Sequence, residues 1–440
     1  MTRLFRAPLS KDPDFSVPAG ASPYSDRDGV IALLLFLTAL AGYARLAIRL
    51  AQGRYAEYLN LAFDFDPYLV LSLLTATPGE TLGFKHPLLL LLRPFGLGLT
   101  ALGVSPKVAA GMMMATFGAA TVSLLWCFLR LAGIRRPESL LLSLLFGLGS
   151  TQILNSLIPE SYGVSGFAIV LLWCIALVRV KFPPLRFTFL RYCSALILMG
   201  ATVTNVVQAF IAELAVATTQ GGISESIYKV LRFGSILAAW FSVLCMIVWH
   251  EAIWKAVQNP LETARQIWWL QTQGPRTDAI AVFKTFLAFS FVAPNYTFIT
   301  LPESTHMRDF RDWSFTATGA ATVAIWLIFA GWGAVCALCN RRYRPIAIGI
   351  VLALVFNLLF HCRFQFRGSI YLYAGHVYFL VFALAAGSAL VVRGNGVMRL
   401  AYLALVTLLV ALFGLNNVPM AEEFVTAFDR PDTLCPAPCR

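Results

Sequence analysis

Apolar runs separated by short polar stretches punctuate the chain at 29–49, 106–129, 138–157, 162–180, 192–216, 232–254, 279–300, 316–339, 345–361, 373–392 and 398–415. Each is close to the ~20 residues that an α-helix needs to cross the hydrocarbon core of a bilayer. Lipid offers no hydrogen bonds to an open backbone, so each run is expected to close its own bonds as a helix. The pattern predicts an all-α polytopic membrane helix bundle of about eleven spans. One further apolar stretch, "HPLLLLLRPFGLGLTALG" at 86–103, is short and broken by Arg93, Pro94 and glycines. It predicts a helix that lies on the membrane surface or re-enters it, inside a large first loop. The chain divides into a tail 1–28, a bundle 29–415 that includes the loop 50–105, and a tail 416–440.

Composition agrees with that class: 58% of the 440 residues are hydrophobic and only 13% are charged. The first run follows a polar leader with Asp12, Asp14, Asp26 and Asp28 and lacks a small-residue cleavage site, so it reads as a retained span. A net charge of +12 suits anionic lipid headgroups, while the dispersal of the Lys and Arg residues argues against a nucleic-acid face. The nine cysteines form no metal-ligand pattern. Cys336 and Cys339 read as packing, and Cys435 and Cys439 pair only if their end faces an oxidising compartment.

Charge also sets a side. The connections "RLAGIRRPE", "RVKFPPLRFTFLR", "NRRYR" and "RGNGVMR" follow the second, fourth, eighth and tenth runs and carry clustered Lys/Arg, as cytoplasmic loops do. The N-terminus, with Arg3, Arg6, Lys11 and Arg27, joins them inside, and an odd number of spans puts the C-terminus outside. Lys229 and Arg232 fall in a connection this count places outside. A miscounted span between 217 and 278 would leave the flanks unchanged only if a second were miscounted too.

The remaining polar residues then gather on the outer face: Asp64, Asp66, Lys85, His86 and Arg93 in the first loop, Glu160 after the third run, and His361, Arg363, Arg367 and His376 after the ninth. Ionisable groups beside hydrocarbon are costly and mark sites or pathways. Cations at the outer leaflet, which also include Arg45, Arg49 and Arg54, suit a phosphate-bearing lipid, although Arg45 and Arg49 at a span end also suit snorkelling. Arg363 and Arg367, just before Gly368, are the first candidates for that phosphate. Blander roles stand beside these. Asp66 before Pro67, His86 before Pro87 and Glu160 before the fourth run are each placed to cap a helix. An extended Asp64–Asp66 segment would let both carboxylates share a divalent cation, whereas on a helix they point about 200° apart.

The order of these features resembles the membrane-embedded C-type glycosyltransferases, the GT-C superfamily, which includes protein O-mannosyltransferases and aminoarabinose transferases. The residues that carry the likeness are the first span, the acids of "FDFDP", "KHPLLLLL" some twenty residues on, and the span "SPKVAAGMMMATFGAATVSLLWCFLRLAG". The likeness covers roughly 29–180. The chain departs from the pattern in having "FDFDP" where many members show adjacent Asp-Glu, a single proline in "HPL", and no large soluble C-terminal domain.

The resemblance implies transfer of a sugar from a polyprenyl-phosphate donor to an extracytoplasmic glycan, lipid or protein acceptor, with Asp64 or Asp66 as base. Absence of a phosphate-binding P-loop and of a dinucleotide glycine fingerprint fits a lipid donor. The expected compartment is a bacterial inner membrane. A secondary transporter or flippase is the rival class, with Asn205 and Gln208 in "TVTNVVQ" as its best feature, and a scaffold subunit is a third. Reporter fusions are expected to find the N-terminus inside and the C-terminus outside; a cytoplasmic C-terminus would undo the gathering of polar residues on one face.

Overall fold

The computed structural model describes residues 26–53, 55, 65–75, 87–182, 188–262, 278–295, 299–300, 307–308, 314–363, 370–392 and 396–429. They form a helix bundle: α1 Asp26–Gln52, α2 Pro67–Thr75, α3 Pro87–Ala101, α4 Pro106–Leu131, α5 Arg136–Gly147, α6 Ser150–Leu157, α7 Ser161–Lys181, α8 Thr188–Ala201, α9 Val206–Gln220, α10 Ile223–Gln258, α11 Ala279–Lys284, α12 Ala317–Cys339, α13 Arg344–Arg363, α14 Tyr378–Ala385 and α15 Gly396–Asp429. Among the described residues the only paired strands are two residues each, Ile299–Thr300 against Met307–Arg308. Seven helices are long and apolar enough to cross a membrane, and α5 with α6, bent by 61°, makes an eighth if the pair is one broken span. The chain is thus an all-α, multi-pass membrane protein.

Ion pairs define one end of the bundle. Buried Asp28 at the start of α1 receives Arg130 from the end of α4 at 3.0 Å and Arg136 from the start of α5 at 2.9 Å. Buried Glu138 holds Arg399 at the start of α15 at 2.5 Å. Between these elements α4 stops cleanly because Gly133 adopts φ 83°, a left-handed conformation that glycine takes without strain. The core between the ends is aromatic: Trp126, Phe128, Trp173 and Trp326 are fully buried, and Phe291 stacks on both Trp326 and Tyr378. Gly333 on α12 lies against the Ala385 carbonyl so closely that a Cβ would collide with it.

Three predicted runs take a different form. The run 192–216 is two helices, not one. Thr202, extended at φ −152° and ψ 114°, ends α8 and bonds Ser165 near the start of α7, and a 3-10 turn Val203–Asn205 opens α9. Helix α9 then returns, so that Glu213 meets Arg179 at 2.5 Å and Arg191 at 3.1 Å, and Gln220 reaches the Arg179 carbonyl. The turn contains no Gly, Pro or charge, so hydropathy runs through it unbroken.

The run 279–300 begins as α11 and a π-helical turn Thr285–Phe289, whose Phe286 packs on His361, and no continuous span-length helix follows among its described residues. The chain then comes back, and Asn295 pairs with Ser314 just before α12. The last run extends well past 415: α15 continues through Pro419 to Asp429, because Asn417 gives its amide to the Leu148 and Phe291 carbonyls and Glu422 binds Arg45 and Arg49.

Glu213 is the only carboxylate in its knot and is buried. Glu213→Ala is expected to destabilise by ~3 kcal/mol, the cost of leaving buried guanidinium groups unpaired. Thermal melts in mild detergent read this, and an unchanged melt would show that water replaces the carboxylate.

Candidate functional site

At the end opposite Asp28, the site is built around Glu160. Pro159 disfavours a helical conformation for the residue before it, and Ile158 lies at φ −94°, ψ 126°, which ends α6. Glu160 then caps α7: its Oε1 accepts the Ser161 N–H at 2.9 Å. Its Oε2 accepts the Asp66 N–H, also at 2.9 Å. The carboxylate is 4% exposed and satisfied by backbone donors at a helix N-terminus, where the helix dipole also favours negative charge. Asp66 itself is buried beside Pro67, and its carbonyl accepts the Val70 N–H, the first bond of α2. The first loop is therefore tied to the bundle through one carboxylate. Helices α2 and α3 pack together over α4, α7 and α8 through Val70, Leu74, Leu89, Met114, Val164 and Ala201.

Behind Glu160, rings and amides surround a 3-10 turn, Tyr371–His376. The Tyr162 ring lies 5.0 Å from His376 and 5.6 Å from Tyr373, and His361 stacks on Tyr373 at 4.4 Å. The two histidine rings are 6.2 Å apart. Gln208 donates to the His376 carbonyl at 3.3 Å and to the Asn205 Oδ1 at 3.1 Å, and the Tyr371 hydroxyl donates to the Ser150 Oγ at 2.9 Å. On the other side of the turn, Thr121, Gln152, Asn155, Ser156 and Tyr162 line a narrow cavity with room for about one water.

Buried atoms close to this turn with no hydrogen-bond partner among the described residues include His361 Nδ1, Asn205 Nδ2 and Gln208 Oε1. An unpaired buried polar group costs about 1–3 kcal/mol, so their concentration marks a place that a ligand or water completes.

The candidates from sequence distribute unevenly. Asp66, Glu160, His361 and His376 come together at this end of the bundle. Arg93 lies on α3 one turn beyond Leu89, on the stripe that faces Val164 and Ala201. One of its guanidinium nitrogens is buried with no hydrogen-bond partner among the described residues. Arg363 ends α13 and is exposed. Asp64, Lys85, His86 and Arg367 lie outside the described residues, as do Arg54, Cys435 and Cys439.

Arg45 and Arg49 are not open outer-leaflet cations but partners of Glu422. Among the described residues no three of His, Cys, Asp or Glu converge to hold a metal. Sequence reasoning passed over Asn155, Tyr162 and Tyr371. The signal for the first was the polar cluster "STQILNS" within an apolar run, whose every residue is buried. No protein-family model matches the chain, and no curated protein matches it in sequence.

Glu160→Ala removes a cap worth ~1 kcal/mol together with the tie to Asp66. The expected result is a lower melting temperature and faster protease cleavage within the first loop. Cleavage at the wild-type rate would mean that α2 and α3 are held by their apolar contacts alone.

Proposed function

We propose that the chain is an integral membrane glycosyltransferase of the GT-C type, moving a sugar from a polyprenyl-phosphate donor to an extracytoplasmic acceptor. The observation that carries this reading is the bond from the Asp66 N–H to Glu160, which brings Asp66 of the first loop to the same end of the membrane bundle as the histidine-bearing turn Tyr371–His376. In this reading that end is the outer face of a bacterial inner membrane. The donor's tail lies in lipid, and its phosphate meets cations of α3 and the segment after α13, Arg93, Arg363 and Arg367, with Lys85 and His86 beside the loop acids. Fork-shaped guanidinium groups suit phosphate oxygens.

The course of the chain supports the orientation. In this reading α1, α4, the α5–α6 pair, α7, α8, α9, α10, α12, α13, the α14 segment and α15 are taken as eleven passes, with the shorter α8, α9 and α14 included, and α11 is taken to enter and return on one side. Splitting 192–216 adds a pass and withdrawing 279–300 removes one, so both termini keep their sides. The connection before α10 then falls at the basic end, and Lys229 and Arg232 no longer stand out against the charge rule.

The base is Asp64. Asp66 holds a helix start and a backbone bond to Glu160, whereas Asp64 lies two residues upstream and carries no capping position. A carboxylate is ionised at neutral pH and can take the acceptor's hydroxyl proton as the anomeric carbon is attacked, with inversion in a single displacement. A second reading, a transporter or flippase, draws on the break between α8 and α9 and on the α11 segment, since broken helices line transporter sites.

Asp64→Asn is expected to lower transfer by about 10² to 10⁴ with an unchanged melt. Asp66→Asn should lose less turnover and about 1 kcal/mol of stability. Full transfer in the double variant rules out the enzyme reading.

A further inference from the structure

We infer that the socket around Tyr371–His376 receives the hydroxyl-bearing edge of a neutral sugar and selects against amino and acidic sugars. This rests on the glycosyltransferase reading and names the substrate class for it. The orientation of the Gln208 amide is set by its surroundings, because its Nε2 faces two acceptors, the His376 carbonyl and the Asn205 Oδ1. Its Oε1 therefore presents an acceptor that needs a donor, while the adjacent Asn205 Nδ2 presents a donor that needs an acceptor. A hydroxyl supplies both functions in one group. A phosphate oxygen cannot donate to Gln208, and an ammonium cannot accept from Asn205. His361 Nδ1 adds a third open position one ring away, stacked on Tyr373.

Among the described residues near the socket, the nearest carboxylates are engaged and the charges of the flanking elements are exposed. Both oxygens of Glu160 already accept backbone N–H groups, and Asp66 lies beyond it. Asp278 on the element packed against His361, and Arg363 at the end of α13, are exposed. The adjoining cavity is lined by uncharged Thr121, Gln152, Asn155, Ser156 and Tyr162 and has the space of about one water, which is the space of one hydroxyl. A charged substituent in that cavity would be desolvated among uncharged side chains, which is costly. A hydroxyl loses nothing that the two amides do not return.

The test is a binding comparison on the full chain in nanodiscs. The probes are a short-chain polyprenyl phosphate, the same carrier bearing glucose, mannose or galactose, and the same carrier bearing 4-amino-4-deoxyarabinose or glucuronic acid. At least one neutral-hexose carrier is expected to bind at least tenfold more tightly than the bare carrier, with the amino and acidic sugars no tighter than bare, in line with the cost of leaving polar groups unpaired. Gln208→Leu should abolish the neutral-sugar advantage and leave bare-carrier affinity unchanged.

Because Gln208→Leu also removes two buried hydrogen bonds, Asn205→Asp serves as a second arm: a carboxylate in the socket should shift preference toward the amino sugar. Tightest binding of an amino or acidic sugar by the wild type, or a neutral-sugar advantage that survives Gln208→Leu, overturns the inference. Equal binding of every carrier would mean that the socket holds only water; the inference then falls while the lipid-donor reading stands. If even the bare carrier fails to bind, the lipid-donor reading fails and the inference goes with it.

Discussion

One carboxylate, that of Glu160, joins the two parts of the molecule that matter for chemistry. Its oxygens are divided between the first turn of α7 and the backbone of Asp66, so the same group starts a bundle helix and holds the acidic loop against it. In a bilayer such an arrangement is constrained, because a carboxylate near hydrocarbon is tolerated only when its lone pairs are taken up. Backbone donors meet that need without adding a positive charge.

The opposite end solves the same problem differently. Asp28, Glu138 and Glu213 are each buried and each held by arginine, and together they tie α1, α4, α5, α7, α8, α9 and α15 into one base. Net stabilisation from buried ion pairs is small, but breaking one is expensive, so these knots specify which helix ends meet. The Asp28 end is thus set by arginine–carboxylate knots, while the Glu160 end joins uncharged amides and rings to Glu160, Asp66 and the pairing of Glu422 with Arg45 and Arg49.

Much of this was legible in the sequence. Hydropathy located the apolar helices, and the expense of ionisable groups near lipid picked out Asp66, Glu160, His361 and His376, which the fold brings to one end. Capping logic after Pro159 anticipated the local role of Glu160.

What hydropathy could not show was direction. The turn at Thr202–Asn205 is made of residues as apolar as the helices beside it, and its cause lies in tertiary contacts, Ser165 with Thr202 and Arg179 with Glu213, that no local window contains. The same blindness hid the return of the chain after Phe289 and the continuation of α15, where Asn416 and Asn417 read as a polar stop but are bonded into the core. Pairings such as Arg49 with Glu422 span 373 residues, so the apparent excess of outer cations was invisible as a pair.

The central claim is that a lipid-linked phosphate sugar meets the protein at the Glu160 end. An electron cryo-microscopy map of the protein in nanodiscs with a polyprenyl-phosphate hexose tests it most directly. The account predicts density for the phosphate between the first loop and the segment 361–376, with the sugar directed toward Gln208 and Asn205. Density at the Asp28 end, among Arg130, Arg136 and Arg399, would contradict it.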